Sequence, residues 1–227
     1  MSDAPEPDDD LAYLGELLRD FGVPGAPDVE DALRLMADRF EALFDRCSKQ
    51  GQRLRDATPE GWVSFVRFCH HQLYEGLLVN ASEFRRAEDP EHNVFFGGYN
   101  PRTMQERHKG RPPAQIEAAL LAAFAHLNAP SDPVAAIARA YERMQDTHPF
   151  YDANGRIGRL VVTLFLAGHG LRFNWAALDA PPTPPRTRPF KEDLYKALSY
   201  AQRQGGRHIG KLMTVFQKYI EPFEPPA

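Results

Sequence analysis

Apolar residues recur every three or four positions along most of this chain, which is the spacing of one face of an α-helix. In the first third of the chain this spacing predicts a helix over 11–22, a second that opens at residue 28, and a third that runs from Thr58 to about residue 80. Thr58 is suited to cap a helix, and Pro59 to stand in its first turn. The polar segment 48–57 is expected to link the second and third helices.

The helical pattern breaks over residues 81–113, which are rich in glycine, proline and charged residues. The one apolar cluster in this segment is Val94, Phe95 and Phe96, directly before two glycines. A short β-hairpin that forms a flap fits this composition, and a long helix does not. We therefore expect a small hairpin at this cluster.

Helical spacing returns in the second half of the chain, where five further segments are predicted to be helical: 116–127, 134–144, 155–167, 190–204 and 208–220. The segment 155–167 is apolar on nearly every side, which is typical of a buried central helix. The proline-rich stretch 181–189 is expected to be a rigid, extended linker. The predicted fold class is mostly all-α, with roughly seven or eight helices and one small β-hairpin.

Composition narrows the class of protein before any chemistry is considered. The 227 residues are 43% hydrophobic and 26% charged, which supplies a packed core and excludes a disordered chain or a coiled-coil rod. The formal net charge of -4 gives no overall basic field, so no direct nucleic-acid binding is expected. The only cysteines are Cys47 and Cys69, which favours a reducing compartment over a disulfide framework.

The first ten residues have the reverse of a signal peptide's layout. Residues 1–10 carry acids and prolines but no basic residue, and they are expected to form a flexible tail. No window of the sequence approaches about 18 uninterrupted apolar residues, so no membrane helix is expected. A cytoplasmic location is the expectation, and delivery into another cell stays open.

The segment 147–159 (Thr-His-Pro-Phe-Tyr-Asp-Ala-Asn-Gly-Arg-Ile-Gly-Arg) lies where a loop meets the apolar central helix. A helix N-terminus presents unpaired backbone N–H groups and the positive end of the helix dipole. Ala153, Asn154 and Gly155 could therefore bind an anion at this junction. Glycine would also allow a ligand to approach the backbone closely.

Four ionisable side chains accompany this helix terminus. Arg156 and Arg159 are three positions apart on one helix face, and each can present a planar guanidinium to phosphate oxygens. Asp152 is a hard oxygen ligand suited to a magnesium ion shared with phosphates, and His148 could accept a proton from a hydroxyl. Singly, these residues are more often a turn, a solvated face or a cap. In this order they indicate a phosphoryl or nucleotidyl transfer site, with Phe150 as a core anchor.

The same segment resembles the signature of the Fic domain family: His-Pro-Phe, any residue, Asp or Glu, Gly, Asn-Gly-Arg, two residues, Arg. The matching positions are His148, Pro149, Phe150, Asp152, Asn154, Gly155, Arg156 and Arg159. Looser similarity covers about residues 60–220, in SEFRR (82–86) with VFFGG (94–98) and in DLYKALSYAQ (193–202). The resemblance implies a Fic-like helical bundle with a central motif helix and a hairpin flap.

What the resemblance implies for function is a transferase that moves AMP from ATP to a Ser, Thr or Tyr hydroxyl of a target protein, with Mg²⁺ as cofactor. By position, His148 would be the general base and Asp152 the magnesium ligand. The other motif residues would bind the nucleotide, the first two at the α-phosphate and the last two at the β- and γ-phosphates: Asn154, Gly155, Arg156 and Arg159.

The apolar cluster of the predicted flap has two interpretations. In the first, the edge formed by Val94, Phe95 and Phe96 aligns an extended segment of the target protein by strand addition. In the second, these apolar side chains simply pack on the core.

Ala153 stands where the family pattern usually has its first glycine. Its methyl group is expected to narrow the pocket, which leaves open a related transferase that uses another nucleotide or a CDP-choline-like donor. Gly155 stands where the kinase-like branch has lysine, which counts against phosphate transfer. A non-catalytic nucleotide-binding interaction module is the alternative from another functional class.

Regulation is also open. Many Fic proteins are inhibited by a helix with Ser/Thr-x-x-x-Glu-Gly/Asn, whose glutamate pairs with the second motif arginine. Only Ser2 and Glu6 have that spacing here, and Pro7 follows, so we interpret the match as chance. An inhibitory partner protein could supply the glutamate in trans, or control could be of another kind or absent.

The predicted organisation has four parts: a flexible acidic tail (1–10), an N-terminal helical extension (11–57), a Fic-like catalytic domain (58–220) and a C-terminal tail (221–227). The extension could cap the active-site end or add to the core, and the sequence does not decide between the two.

Overall fold

The computed structural model describes residues 7–50, 57–89, 95–96, 108–128, 130–181 and 191–223. Within these ranges it contains nine α-helices and two pairs of short antiparallel strands, so the mostly helical prediction is confirmed. The helices are α1 (Pro7–Phe21), α2 (Val29–Gln50), α3 (Pro59–Tyr74), α4 (Ile116–Phe124), α5 (Pro133–Thr147), α6 (Asn154–Gly168), α7 (Trp175–Asp179), α8 (Lys191–Arg203) and α9 (Gly210–Tyr219). The strands are β1 (Phe95–Phe96), β2 (His108–Lys109), β3 (Leu171–Phe173) and β4 (Ile220–Pro222).

Helix α6 lies at the centre of the molecule because it is apolar on nearly all of its faces. It packs against α2, α3, α5 and β3. Its buried apolar side chains are Ile157, Leu160, Val161, Val162, Leu164, Phe165 and Leu166. The predicted buried central helix is confirmed. The motif loop leads directly into its N-terminus.

Two helices begin at capping residues, and the predicted cap Thr58 is confirmed. Thr58 accepts a hydrogen bond from the backbone N–H of Gly61 at the start of α3. Asp132 accepts two from the first turn of α5, which like α3 has proline at its first position. The end of α3 was predicted less well. The helix stops at Tyr74 because the chain turns at Gly76, whose φ of +72° is left-handed, and so it does not reach residue 80.

The N-terminal helices are longer than predicted. Helix α1 begins at Pro7, so its first turn lies within the segment expected to be a flexible tail. Helix α2 continues to Gln50, into the segment expected to be a polar link. Its buried side chains join the same core as α6: Ala32, Met36, Leu43 and Cys47. Helix α2 therefore adds to the common core. Residues 1–6 and 51–56 lie outside the described residues.

The predicted hairpin is present as a two-residue antiparallel ladder. Phe95 pairs with Lys109 and Phe96 with His108. The third member of the predicted cluster, Val94, lies outside the described residues, as do 182–189 of the proline-rich linker.

A second strand pair was not predicted. Strands β3 and β4 are antiparallel, with Leu171 opposite Pro222 and Phe173 opposite Ile220. Glu221 and Pro222 therefore belong to a strand, and the predicted boundary of a C-terminal tail at residue 221 is wrong for these two residues. Strands of three residues are too short to show the alternation by which a strand is recognised in a sequence.

None of the helices in the described ranges combines the length and the apolar character needed to cross a membrane.

Candidate active site

The loop 148–153 joins α5 to α6 and starts with a strained residue. His148 has φ +49° and ψ +64°, in the left-handed region, and closes α5 by donating its backbone N–H to the Met144 carbonyl over 3.0 Å. This conformation costs a non-glycine residue about 1–2 kcal/mol, so neighbouring contacts must hold it. One such contact is a hydrogen bond of 2.8 Å from Arg85 Nε to the His148 carbonyl.

The imidazole of His148 is neutral at physiological pH. Its removal from water and the Arg85 guanidinium lower its pKa to about 4, although the Gln145 backbone and the Asp152 carboxylate act in the opposite direction. A neutral imidazole can accept a proton, which is the requirement for a general base.

Asn154 holds the loop in place from the first residue of α6. Its side-chain Oδ1 accepts a hydrogen bond from the Phe150 backbone N–H over 3.1 Å, and its Nδ2 donates to the Phe150 carbonyl over 2.8 Å. Both polar atoms are thus used inside the loop, and the side chain is only 2% exposed. Phe150 is buried and stacks on the His70 ring at 4.1 Å, so the core-anchor prediction for Phe150 is confirmed.

Ala153 caps α6 in the left-handed conformation, with φ +62°. Glycine adopts this conformation without strain, which gives a physical reason for glycine at this position of the motif. The Ala153 side chain is 3% exposed and belongs to the hydrophobic core. The effect of its methyl group on the choice of donor stays a prediction.

The N-terminus of α6 is open to an anion. No side chain within the described ranges caps it, and backbone N–H groups of a first helical turn have no partner inside the helix. Gly155 is exposed, and no atom of the described residues, apart from its immediate neighbours along the helix, comes within 4 Å of the place where its Cβ would be. Gln145 supports this turn from α5, through a 3.0 Å hydrogen bond from Nε2 to the Asn154 carbonyl.

Asp152 is a charged carboxylate held by three donors. Its Oδ2 accepts hydrogen bonds from Arg156, at 2.8 Å, and from the Tyr74 hydroxyl, and its Oδ1 accepts one from the Ala153 N–H over 2.6 Å. Burial alone would raise the pKa of Asp152, but these donors, with Arg156 the strongest, hold it below its usual value.

The donor set fits a magnesium ion shared with a substrate. The described residues contain no group of three acidic, histidine or cysteine side chains that could hold a metal ion by themselves. Mg²⁺ commonly binds through one or two carboxylates together with substrate phosphates. Asp152 could supply that single carboxylate at the edge of the open helix terminus.

Arg159 lies one turn further along α6 and pairs with Asp179 at the end of α7. The two nitrogens of its guanidinium fork donate to the two carboxylate oxygens over 2.6 and 3.1 Å. The guanidinium carbon also lies 4.8 Å from the centre of the Trp175 ring. Burial would lower the pKa of Arg159, but the bond to Asp179 and its charge raise it.

The sequence matches the model of the Fic/DOC family over residues 62–166, from the first turn of α3 to the last turn of α6. Residues 62–166 form a Fic/DOC domain. The match includes the whole motif loop and all the site residues described so far except Trp175 and Asp179.

A solved Fic domain has a similar fold. The N-terminal Fic domain of a cell filamentation protein from Bartonella quintana, a VirB-translocated Bep effector, is 18% identical with a TM-score of 0.50, and the alignment covers 81% of this chain and 84% of that one. BepC from Bartonella tribocorum, solved with bound AMPPNP, is 16% identical with a TM-score of 0.49, covering 81% of this chain and 89% of that one. At these identities the likeness concerns the fold alone. No curated protein matches the chain.

A third solved structure is longer than this chain. It is a Fic family protein from Desulfovibrio desulfuricans that is 17% identical with a TM-score of 0.46, and the alignment covers 92% of this chain and 58% of that one.

The Fic motif residues are brought together as one loop and two helical turns, and their supporting residues lie elsewhere in the chain. Sequence reasoning missed these partners: Tyr74, Arg85, Gln145 and Asp179. Tyr74 is fully buried, and in the sequence it stands among the apolar residues of a helix, so nothing indicates that its hydroxyl donates to Asp152. Arg85 lies in the SEFRR segment quoted for its resemblance to the flap region, but nothing in its spacing indicates a partner 63 positions away.

The two arms of the flap, residues 85–89 before β1 and 110–111 after β2, are hydrogen-bonded to the chain on either side of His148. On the first arm, the backbone N–H of Arg85 donates to the Pro149 carbonyl over 3.0 Å. On the second, the N–H of Arg111 donates to the Thr147 carbonyl over 3.0 Å. The backbone at Arg85 and at Arg111 is thus tied to the residues on either side of His148.

Proposed function

We propose that this Fic domain is a transferase that moves AMP from ATP to a Ser, Thr or Tyr hydroxyl of a target protein. The observation that carries the proposal is the pairing of two features across a loop of six residues. A neutral His148 stands at one end of the loop, and the open, uncapped terminus of α6 at Gly155 stands at the other. The first supplies a base for a hydroxyl, and the second supplies a site for a phosphate.

In the proposed reaction, the hydroxyl oxygen of the target attacks the α-phosphorus of ATP. His148 accepts the hydroxyl proton as the new oxygen–phosphorus bond forms. The bond between the α-phosphorus and the oxygen that bridges to the β-phosphate breaks, and pyrophosphate leaves with that oxygen. Such a transfer depends mainly on positioning and on neutralisation of charge.

Each remaining motif residue has a part that follows from its contacts. The first-turn N–H groups of α6 would bind the α-phosphate, and the bare backbone at Gly155 leaves room for it. Asn154 would act through the loop, because both of its polar atoms hold Phe150. Arg156 and Arg159 would bind the β- and γ-phosphates, where a guanidinium fork matches the phosphate oxygens. Each of them must then share or exchange its present carboxylate partner.

We propose Mg²⁺ as the cofactor, with Asp152 as its ligand from the protein. When bound, the ion would neutralise phosphate charge next to the open helix terminus. Arg156 now occupies one oxygen of the Asp152 carboxylate, so this ion pair would loosen as a nucleotide and its metal enter.

The flap would align the target protein. Among the described residues strand β1 pairs with β2 alone, and an extended peptide could add to its other edge through main-chain hydrogen bonds. The proposed register places the target hydroxyl beside His148, because both flap arms are bound to residues that flank it.

The experiment that tests the proposal uses the purified protein, magnesium and a cell lysate, with ATP labelled on the α-phosphate in one reaction and on the γ-phosphate in another. The His148→Ala variant is the control, since it should still bind the nucleotide. Labelling of protein from the α-phosphate alone, lost in the variant, is the expected result. Labelling from the γ-phosphate alone would mean phosphate transfer, and labelling that persists in His148→Ala would remove His148 as the base.

If neither ATP label is transferred, ATP is not the donor under these conditions. The same reaction with labelled UTP, GTP, CTP and CDP-choline then decides between another nucleotide donor and a binding module without catalysis. A protein that binds nucleotide with Asp152 and Arg159 but modifies nothing with any of these donors would support the binding module.

A further inference from the structure

Arg85 is a buried arginine whose contacts all converge on the base of the motif loop. Arg85 is only 8% exposed. Its Nε donates to the His148 carbonyl over 2.8 Å, and its Nη2 donates to the carbonyls of Arg111, at 2.8 Å, and Thr147, at 3.4 Å. One guanidinium therefore joins the last residue of α5, the candidate base and the second arm of the flap.

The partners of this guanidinium are carbonyl oxygens. No carboxylate among the described residues forms an ion pair with Arg85, and burial lowers its pKa from the ordinary arginine value. A buried cation without a carboxylate is costly, and it is tolerated here because the C-terminus of α5 presents unpaired carbonyls and the negative end of the helix dipole. Arginine is suited to bond several carbonyls at once, because the N–H groups of its guanidinium donate in different directions.

The second flap arm is held beside α5 and Arg85. The Arg111 guanidinium donates to Asp146 on α5 over 2.9 and 2.7 Å, which fixes this arm beside α5. The preceding residue, Gly110, is buried, and a Cβ at that position would lie 2.8 Å from Arg85 Nη2 and 3.0 Å from His148 Cβ. The two arms and His148 are thus packed so closely that a side chain at Gly110 would have to displace Arg85 or His148.

We propose that Arg85 is a positioning residue of the transfer reaction, which holds His148 in its left-handed conformation and ties its position to the two arms of the flap. This inference rests on the proposed function, because His148 must be the base for its position to matter to the rate. Without the bond to its carbonyl, His148 can relax out of the left-handed region, and its ring then moves away from the target hydroxyl.

The proposal separates chemistry from nucleotide binding. None of the hydrogen bonds from Arg85 reaches a residue assigned to ATP, since its acceptors are the carbonyls of residues 111, 147 and 148. Loss of Arg85 should therefore lower kcat and leave KM for ATP within about twofold. A misplaced general base commonly costs a reaction about 100-fold in rate.

The test measures kcat, KM for ATP and ATP affinity for Arg85→Gln, Arg85→Lys and Arg86→Gln. Arg86 is the matched control: it is the next residue, it is exposed, and its side chain bonds to the Asp89 carboxylate and not to the carbonyls that Arg85 holds. We expect a fall in kcat of at least about tenfold for Arg85→Gln, a smaller fall for Arg85→Lys, which keeps the charge but not the fork, and no change beyond twofold for Arg86→Gln. Equal kcat in Arg85→Gln and Arg86→Gln would overturn the proposal.

A second readout is independent of activity. In protein with isotope-labelled histidine, the His148 ring signal is identified by its loss in His148→Ala. Arg85→Gln should shift this signal while that of His126, which takes part in none of these contacts, stays in place. If the wild-type protein transfers nothing, the proposed function fails but this measurement still decides the role of Arg85. An unchanged His148 signal would overturn it.

A third variant guards against a general loss of folding. Gly110→Ala keeps Arg85 but places a methyl group against Arg85 and His148. We expect it to fold, to bind ATP as the wild type does, and to show the same loss of kcat and the same displaced His148 signal. A folded Gly110→Ala protein with wild-type kcat would contradict the coupling between the flap arms and His148.

Discussion

Arg159 is held by Asp179 in a two-pronged ion pair, with nitrogen–oxygen distances of 2.6 and 3.1 Å. Asp179 lies 20 positions later in the chain, at the end of the short helix α7. Its carboxylate accepts hydrogen bonds from both terminal nitrogens of the Arg159 guanidinium. In the proposed function, Arg159 binds the β- and γ-phosphates. Asp179 and the nucleotide therefore compete for the same guanidinium.

The first prediction follows from this competition. Asp179→Asn should tighten the binding of ATP by about 1.4- to fivefold, because a partly exposed ion pair is worth about 0.2–1 kcal/mol. AMP, which has no β- or γ-phosphate, should bind Asp179→Asn and wild type equally. Isothermal titration with both nucleotides measures the difference.

The control for this prediction is Glu221→Gln, which removes the acid partner of Arg172 on the β3–β4 pair. It should leave the affinity for both nucleotides unchanged. An equal gain for ATP and AMP in Asp179→Asn would show that Asp179 does not act on the outer phosphates.

The second prediction compares two glycines of the motif helix. At Gly155 a Cβ would enter open space, so Gly155→Ala should leave thermal stability unchanged or raise it by up to about 1 kcal/mol. The same methyl group would stand where the phosphate is proposed to approach the backbone. We therefore expect ATP binding to weaken by about tenfold or more in a protein that is fully folded.

Gly158→Ala is the matched substitution one turn further along α6. A Cβ there would lie 2.4 Å from Gln145 Nε2 and 3.0 Å from the Tyr141 ring, so the helix would have to move away from α5. Overpacking of this kind should lower the free energy of unfolding by about 1–3 kcal/mol, as read from urea denaturation. If Gly155→Ala bound ATP as tightly as the wild type does, the open helix terminus would not be the phosphate site.

The candidate site shows what could be predicted from sequence and what could not. The segment from His148 to Arg159 is continuous, so its order of residues already indicates a base, a carboxylate and an anion site at one helix terminus. The partners Arg85, Tyr74 and Asp179 are brought to it only by tertiary packing, and no local spacing encodes such contacts. The roles of individual atoms could not be predicted either. A sequence does not distinguish an asparagine whose side chain bonds to the loop backbone from one whose side chain bonds to a phosphate.

The fold shows the same division. Long amphipathic segments and proline-started helices, such as α3 and α5, were predicted because their signals are local and strong. The strand pair β3–β4 was missed because three-residue strands have no period to detect. The extension of α2 to Gln50 was missed because its last turn is polar, and only the packing of the preceding turns against the core supports it.

The third prediction concerns the loop that Asn154 holds. Asn154→Ala removes two hydrogen bonds and leaves the buried N–H and carbonyl of Phe150 without those partners. The free energy of unfolding should fall by about 2–4 kcal/mol. Asn174→Ala is the matched control, because its side chain makes a capping bond to the Ala177 N–H and only a long, partly buried bond of 3.4 Å to Glu221, and it should cost about 1 kcal/mol. Equal losses in the two variants would contradict the role of Asn154 in fixing the loop.

The last prediction is a dependence of stability on pH that originates in the support of the loop. His70 is 3% exposed, stacks on Phe150, and accepts a hydrogen bond of 2.9 Å from the Ser82 N–H at Nδ1, which requires the neutral ring. Burial, with smaller contributions from Arg156 and His71, lowers the pKa of His70 to about 3, although Asp152 opposes the shift. In the unfolded chain the same ring titrates near its ordinary value of 6.5.

Between pH 6.5 and 3 the unfolded state therefore binds more protons than the folded state does at His70, so stability is complete above pH 6.5 and falls as the pH drops through this window. The lowered pKa of His148, about 4, acts in the same direction over the upper part of the window. Each histidine contributes a slope of at most about 1.4 kcal/mol per pH unit. His70→Asn, whose Oδ1 can replace Nδ1 as the acceptor, should have a lower Tm at pH 7 but a shallower decline in Tm from pH 7 to 4. The partly exposed neighbour provides the control. Because His71 is the smallest cause of the His70 shift, His71→Asn should stay close to the wild-type slope, and a His70→Asn protein with the wild-type slope would show that the acid sensitivity arises elsewhere.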